Sequence, residues 1–178
     1  AHLGHLSVRL KGDKPNLSWT LCNLTAQFTA HYFANFFLRG EGGPNQQRLI
    51  LEHTHSVRYV MNELMENAVK FRISGDIGIK AGMLTDQFCC SVSNIASKHN
   101  AEKLQALLEE ITSGDVQNLL LQRFETNAMD SNSASSGLGF LTIINDYGAI
   151  FGCKIEACRD QPEQVLVDTL ITLPILNG

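Results

Sequence analysis

The chain has 178 residues, a formal net charge of -4, and hydrophobic and charged fractions of 44% and 18%. These values are typical of one globular domain, and without a dense basic run they argue against nucleic acid as a partner. No apolar stretch approaches the roughly 20 residues that span a bilayer, and residues 1–10 lack a signal-peptide run, so we expect a soluble, cytoplasmic protein with no membrane partner. The 5 cysteines include no CxxC pair and indicate neither a disulfide framework nor a zinc site.

The first part of the sequence predicts one strand and two long helices. Residues 6–11 alternate weakly, as an edge strand does, and a turn follows. Ser18 is a candidate cap for a helix that runs to about Leu38, because apolar side chains recur there at helical spacing. After a loop rich in glycine, the same spacing predicts a second helix over residues 47–71.

The first helix carries an unusual number of aromatic side chains: Trp19, Phe28, Phe33, Phe36 and Phe37. One core contact does not require so many. They either contribute to a homodimer or partner interface, or simply cover the sheet.

The remaining sequence alternates between strand and helix patterns. Four short strands are predicted, over residues 76–80, 87–92, 153–157 and 165–173. Three further helices are predicted, over residues 101–111, 115–124 and 137–148. Residues 126–136 are small and polar, and we expect them to form a mobile loop. This order predicts a two-layer α/β sandwich in which helices cover one face of a mixed, mostly antiparallel sheet.

A cluster of polar side chains lies on the second helix. At about 100° per residue, Glu63, Asn67 and Lys70 share a narrow arc beside an apolar stripe. On an arbitrary helix such a cluster is more often a surface network than a site.

A second feature is a pair of glycines at the start of the helix predicted over residues 137–148. Gly137 and Gly139 would leave several backbone N–H groups pointing outward along the positive end of the helix dipole, which suits a phosphate. A glycine pair after a serine-rich loop is also an ordinary helix start, so this pattern alone is weak.

Together these features resemble the GHKL (histidine-kinase-like, Bergerat) ATPase superfamily. Its N box is matched by residues 63–71 (Glu-Leu-Met-Glu-Asn-Ala-Val-Lys-Phe), and its second glycine box by residues 136–140 (Ser-Gly-Leu-Gly-Phe). Its closing strand, Thr-x-x-x-x-Pro, is matched by residues 169–174. The resemblance implies a single ATP-binding domain, in which an N-terminal strand and helix (1–46) precede the ATP-binding core (47–178).

The resemblance also implies ATP and Mg²⁺ as cofactors. Asn67 would bind Mg²⁺ through its carbonyl oxygen, and Glu63 would accept a proton from the attacking hydroxyl. Lys70 and the backbone N–H groups of Gly137 and Gly139 would hold the phosphates.

The resemblance also implies that Thr169 would lie under the adenine and that residues 126–136 would form a lid over the nucleotide. The adenine end of the site departs from the family at one box. Where the family carries DxGxG after a strand, this chain has Asn94, Ala96 and Lys98. Asn94 then replaces the adenine-recognising Asp, and the larger residues crowd the backbone near the ligand.

Within the superfamily, two stretches, residues 63–71 and 136–149, look like those of stand-alone Ser/Thr kinases of the anti-sigma-factor type and of SiaB-like bacterial regulators. This resemblance implies a small, STAS-like regulatory protein as the partner. Two functions stay open: an ATP-dependent Ser/Thr protein kinase, or a non-catalytic partner-switching module. Glu63 and Asn67 favour the kinase, whereas Asn94, Ala96 and Lys98 favour the module.

Overall fold

Strands and helices alternate along the parts of the chain that the structure, a computed structural model, describes: residues 3–12, 19–37, 44–129 and 137–175. The strands are β1 (Gly4–Leu10), β2 (Arg72–Met83), β3 (Gln87–Ser97), β4 (Ile150–Ala157) and β5 (Gln164–Pro174). The helices are α1 (Trp19–Ala34), α2 (Pro44–Phe71), α3 (Lys98–Ser113), α4 (Val116–Met129) and α5 (Leu138–Tyr147). None of these helices is long and apolar enough to cross a membrane.

The strands form one 5-stranded sheet with the order β1-β2-β3-β5-β4. All of these neighbouring pairs are antiparallel. Along β3 and β5, buried residues alternate with more exposed ones, and the buried set joins the buried residues of the helices in the core. The predicted two-layer α/β sandwich, with helices on one face of a mostly antiparallel sheet, is therefore confirmed.

Helix α2 supplies both core and site residues because its two flanks differ in polarity. Its predicted apolar stripe packs inward, and Val57, Val60, Met61 and Leu64 are at most 2% exposed. The polar flank beside it faces the region between α2 and α3. One rigid element thus holds the polar residues in place through its own packing.

The aromatic residues of the first helix divide between core and surface. Phe33 is fully buried and makes an edge contact with Phe88 of β3, with ring centroids 5.2 Å apart. Phe36 packs against Gly4 of β1. Trp19 and Phe28 stay more than half exposed, at 57% and 56%. Phe33 and Phe36 therefore cover the sheet, as one of the two alternatives predicted. A homodimer through Trp19 and Phe28 remains a prediction.

Helix α4 and the two hairpin strands differ most from the prediction. Helix α4 continues to Met129, so residues 126–129 are helical and not part of a loop; the rest of the predicted lid, residues 130–136, lies outside the described residues. The hairpin strands are also longer than predicted, because small outward residues and a register shift near Ser74 obscure their alternation.

Candidate functional site

A cavity of about 630 Å³ lies between α2, α3, the inner face of β3 and β5, and the start of α5. All residues predicted for the site line it, namely Glu63, Asn67, Lys70, Asn94, Gly137, Gly139 and Thr169. Its volume is within the range of roughly 300–1,000 Å³ that is common for small-molecule sites. The fold therefore brings these residues together, and their chemical roles remain predictions.

The polar flank of α2 forms one wall of the cavity. The side-chain amide of Asn67 donates a 2.9 Å hydrogen bond to the backbone carbonyl of Glu63, which fixes the orientation of the carboxamide. No described residue donates to the Oδ1 atom of Asn67, so this oxygen is available to a ligand. Lys70 is exposed at the rim, with its ammonium 5.3 Å from the ring centre of Phe71.

The carboxylate of Glu63 lies against the start of α5. A Cβ built on Gly139 would overlap the Oε2 atom of Glu63, so only glycine permits this approach. Burial, followed by the neighbouring carboxylate of Glu66, raises the pKa of Glu63. A carboxyl group with a raised pKa is a stronger proton acceptor than an ordinary one.

Glycines at the start of α5 allow other groups to come close to its backbone. Gly137 is its N-terminal cap in a left-handed conformation, with φ of 64°, and no side chain caps the helix there. A Cβ on Gly137 would also lie 2.9 Å from Leu107 of α3. The backbone N–H groups of a first helical turn lack partners within their helix, so this turn suits an anion.

The floor of the cavity contains two buried polar side chains, Asn94 of β3 and Thr169 of β5. Their residues are 5% and 8% exposed and occupy inward positions where the neighbouring strand residues are apolar. Two other buried threonines, Thr25 and Thr29, bond to helix carbonyls. Within the described part of the chain, neither Asn94 nor Thr169 has a side-chain partner, which leaves both available to a bound molecule.

The wall formed by α3 and α4 was missed at the sequence level. Asn100 and Lys103 of α3 line the cavity, as do Glu110 of α3 and Arg123 of α4. The Nη2 atom of Arg123 donates to Oε2 of Glu110 at 2.6 Å, and this ion pair joins the two helices. The lining positions of α3 recur at helical spacing, which was a visible signal, but spacing alone does not say what the helix faces.

The region of Asn94, Ala96 and Lys98 differs in part from the expectation. Ala96 is 2% exposed and lines the cavity. Lys98 is exposed at the start of α3 and does not line it, because the strand ends at Ser97, whose Oγ accepts from the backbone N–H of Asn100. Only Ala96 is therefore positioned to crowd a ligand.

Neither a protein-family model nor a curated protein matches the chain. A solved structure that is similar is the crystal structure of the SiaB-SiaC complex from Pseudomonas aeruginosa, with a TM-score of 0.65 and 11% sequence identity to the matched chain. The match covers 97% of this chain and 91% of that chain. At this identity the similarity establishes the fold, and the chemistry must be argued from the site.

Proposed function

We propose that the chain is an ATP-dependent Ser/Thr protein kinase-like regulator that acts on a small, STAS-type partner in bacterial partner-switching signalling. The observation that carries this proposal is the close approach of the Glu63 carboxylate to Gly139. Asn67 follows Glu63 by one turn of the same helix. A proton acceptor, a metal ligand and an anion site thus share one end of the cavity. Phosphoryl transfer needs these three functions in one place.

The remaining lining residues fit an adenine nucleotide. Asn94 and Thr169 would hold the purine in the buried end, and Lys70 with the first turn of α5 would hold the phosphates. The free Oδ1 of Asn67 is a hard oxygen ligand and would hold Mg²⁺. When bound, the ion would neutralise phosphate charge.

Glu63 would accept the proton of a Ser or Thr hydroxyl on the partner. The hydroxyl oxygen then forms a bond to the γ-phosphorus, the bond between that phosphorus and the β–γ bridging oxygen breaks, and ADP leaves. The raised pKa of Glu63 supports this role, since a base works best when its pKa is close to the working pH.

A protein acceptor is supported by the similar structure, which is a complex of SiaB with SiaC. Trp19 lies at the rim of the cavity and is 57% exposed. Exposed apolar side chains beside a site are suited to contact with a protein.

The decisive experiment compares wild type with Glu63→Gln. The amide keeps the shape of the carboxylate but cannot take the proton, so Mg-ATP binding should be retained and phosphorylation of the partner lost, as followed by mass spectrometry. Glu66→Gln is a comparison variant, because Glu66 lines the same cavity and its charge contributes to the raised pKa of Glu63; it should shift the pH dependence of transfer without abolishing transfer. An unchanged rate in Glu63→Gln would refute the assigned role of this carboxylate.

A non-catalytic partner-switching module is the second candidate. Asn94 in place of a charged acceptor and Ala96 in place of glycine favour it, since both weaken or crowd the adenine end. A thermal shift with Mg-ATP distinguishes the two candidates. Binding to the folded state must raise the Tm, and the absence of a rise would favour the module.

A further inference from the structure

The floor of the cavity has a property that a nucleotide-binding role does not require. Asn94 carries a carboxamide, which can donate through Nδ2 and accept through Oδ1. It is 5% exposed, and no described residue bonds to either atom. Because the protein does not fix its orientation, the group can present either atom to a ligand.

Thr169 extends the same property. In the antiparallel ladder, Asn94 pairs with Val167 and Val92 pairs with Thr169, so the two polar side chains are diagonal neighbours on one face. A hydroxyl also donates and accepts. The floor is thus polar without a preference for donors or acceptors.

The walls around this floor are apolar and fit a flat ring. Ala96, Ala101 and Val167 are at most 4% exposed and form a small hydrophobic cluster, against which Leu104 packs. All four line the cavity. Apolar walls with a polar floor bind a heteroaromatic ring by its faces and read its edge by hydrogen bonds.

We propose that the cavity accepts 6-oxopurine nucleotides as well as 6-aminopurine nucleotides, with Asn94 as the residue that reads position 6 of the ring. This inference rests on the proposed nucleotide-binding function. An amine at position 6 donates to Oδ1, and a carbonyl at position 6 accepts from Nδ2 after the carboxamide turns over. A carboxylate at this position would accept only and would therefore reject the carbonyl.

The test uses ATP, ITP and GTP with Mg²⁺ as probes in titration calorimetry. ITP has a carbonyl in place of the amine at position 6 of the purine and carries a proton on the adjacent N1, and GTP adds an amine at position 2 to this ring. We expect wild type to bind ITP within about tenfold of ATP. Asn94→Asp should gain about fivefold for ATP and lose at least about tenfold for ITP and GTP, because a charge-assisted bond is roughly twice as strong as a neutral one.

Asn100→Asp is the matched control, since Asn100 lines the same cavity but lies on α3 and not on the strands that form the floor. It adds the same charge and should weaken ATP and ITP equally. A wild-type preference for ATP over ITP above about tenfold overturns the inference and leaves the kinase proposal intact. Equal changes for ATP and ITP in Asn94→Asp also overturn it. If wild type binds none of the nucleotides, both proposals fail.

Discussion

Replacing Gly139 with alanine places a methyl group where the Glu63 carboxylate lies. A Cβ built on Gly139 overlaps Oε2 of Glu63 and lies 2.9 Å from its Cδ. Gly139 is not among the glycines with positive φ, so alanine fits the backbone without strain. The effect of the substitution should therefore depend on the Glu63 side chain.

The magnitude follows from two opposing contributions. Alanine in a helix is favoured over glycine by about 0.5–1 kcal/mol. Rotating the carboxylate out of its preferred geometry costs about 0.5–1.5 kcal/mol. In wild type, the effect of Gly139→Ala should thus lie between about 0.5 kcal/mol stabilising and about 1 kcal/mol destabilising. When Glu63 is already alanine, the same substitution should stabilise the protein by about 0.5–1 kcal/mol.

Urea denaturation of wild type, the two single variants and the double variant measures this coupling. We expect a coupling free energy of about 0.5–1.5 kcal/mol between the two positions, which is the cost of rotating the carboxylate. The Glu63→Ala background is the control, because it keeps the helix propensity change and removes the overlap. If the two changes add within about 0.3 kcal/mol, the packing of Glu63 on α5 is not as described.

Two other predictions concern the same wall of the cavity. Asn67→Ala should abolish Mg²⁺-dependent nucleotide binding in calorimetry while the fold is retained; Asn62→Ala, on the same helix but outside the cavity lining, should bind normally, and equal affinities for both variants would contradict the metal role. Because the pKa of Glu63 is raised in the folded state, stability should fall as pH rises from the ordinary Glu value through the raised pKa. The Tm of Glu63→Gln should therefore match that of wild type in acid and exceed it at neutral pH. A difference in Tm that does not vary with pH would contradict the assignment.

Local patterns were sufficient for the α2 side of the site. Glu63 and Asn67 share a face because of helix geometry alone. Gly137 caps the start of α5 in a left-handed conformation, which glycine adopts more readily than other residues. These features need no knowledge of distant residues. They could therefore be predicted from the sequence.

The α3 and α4 wall depends on contacts between distant residues. Arg123 of α4 pairs with Glu110 of α3, and Leu107 of α3 lies against Gly137, so this wall is formed by residues far apart in the sequence. The end of α4 was also missed, because residues 126–129 (Thr-Asn-Ala-Met) begin a stretch of mostly small and polar residues yet continue the helix. Composition indicates exposure more reliably than it indicates backbone conformation.

The pairing of β3 with β5 has a consequence for how the cavity arises in time. Three helices and β4 separate these strands along the chain, so Asn94 and Thr169 meet only through a pairing of long sequence separation. Such pairings form late, because a long loop must close before any contact compensates for its entropy. A molecule bound to this floor should slow unfolding and leave the folding rate unchanged. During synthesis the floor is missing until β5 has emerged from the ribosome, so a nascent chain cannot yet compete for the ligand.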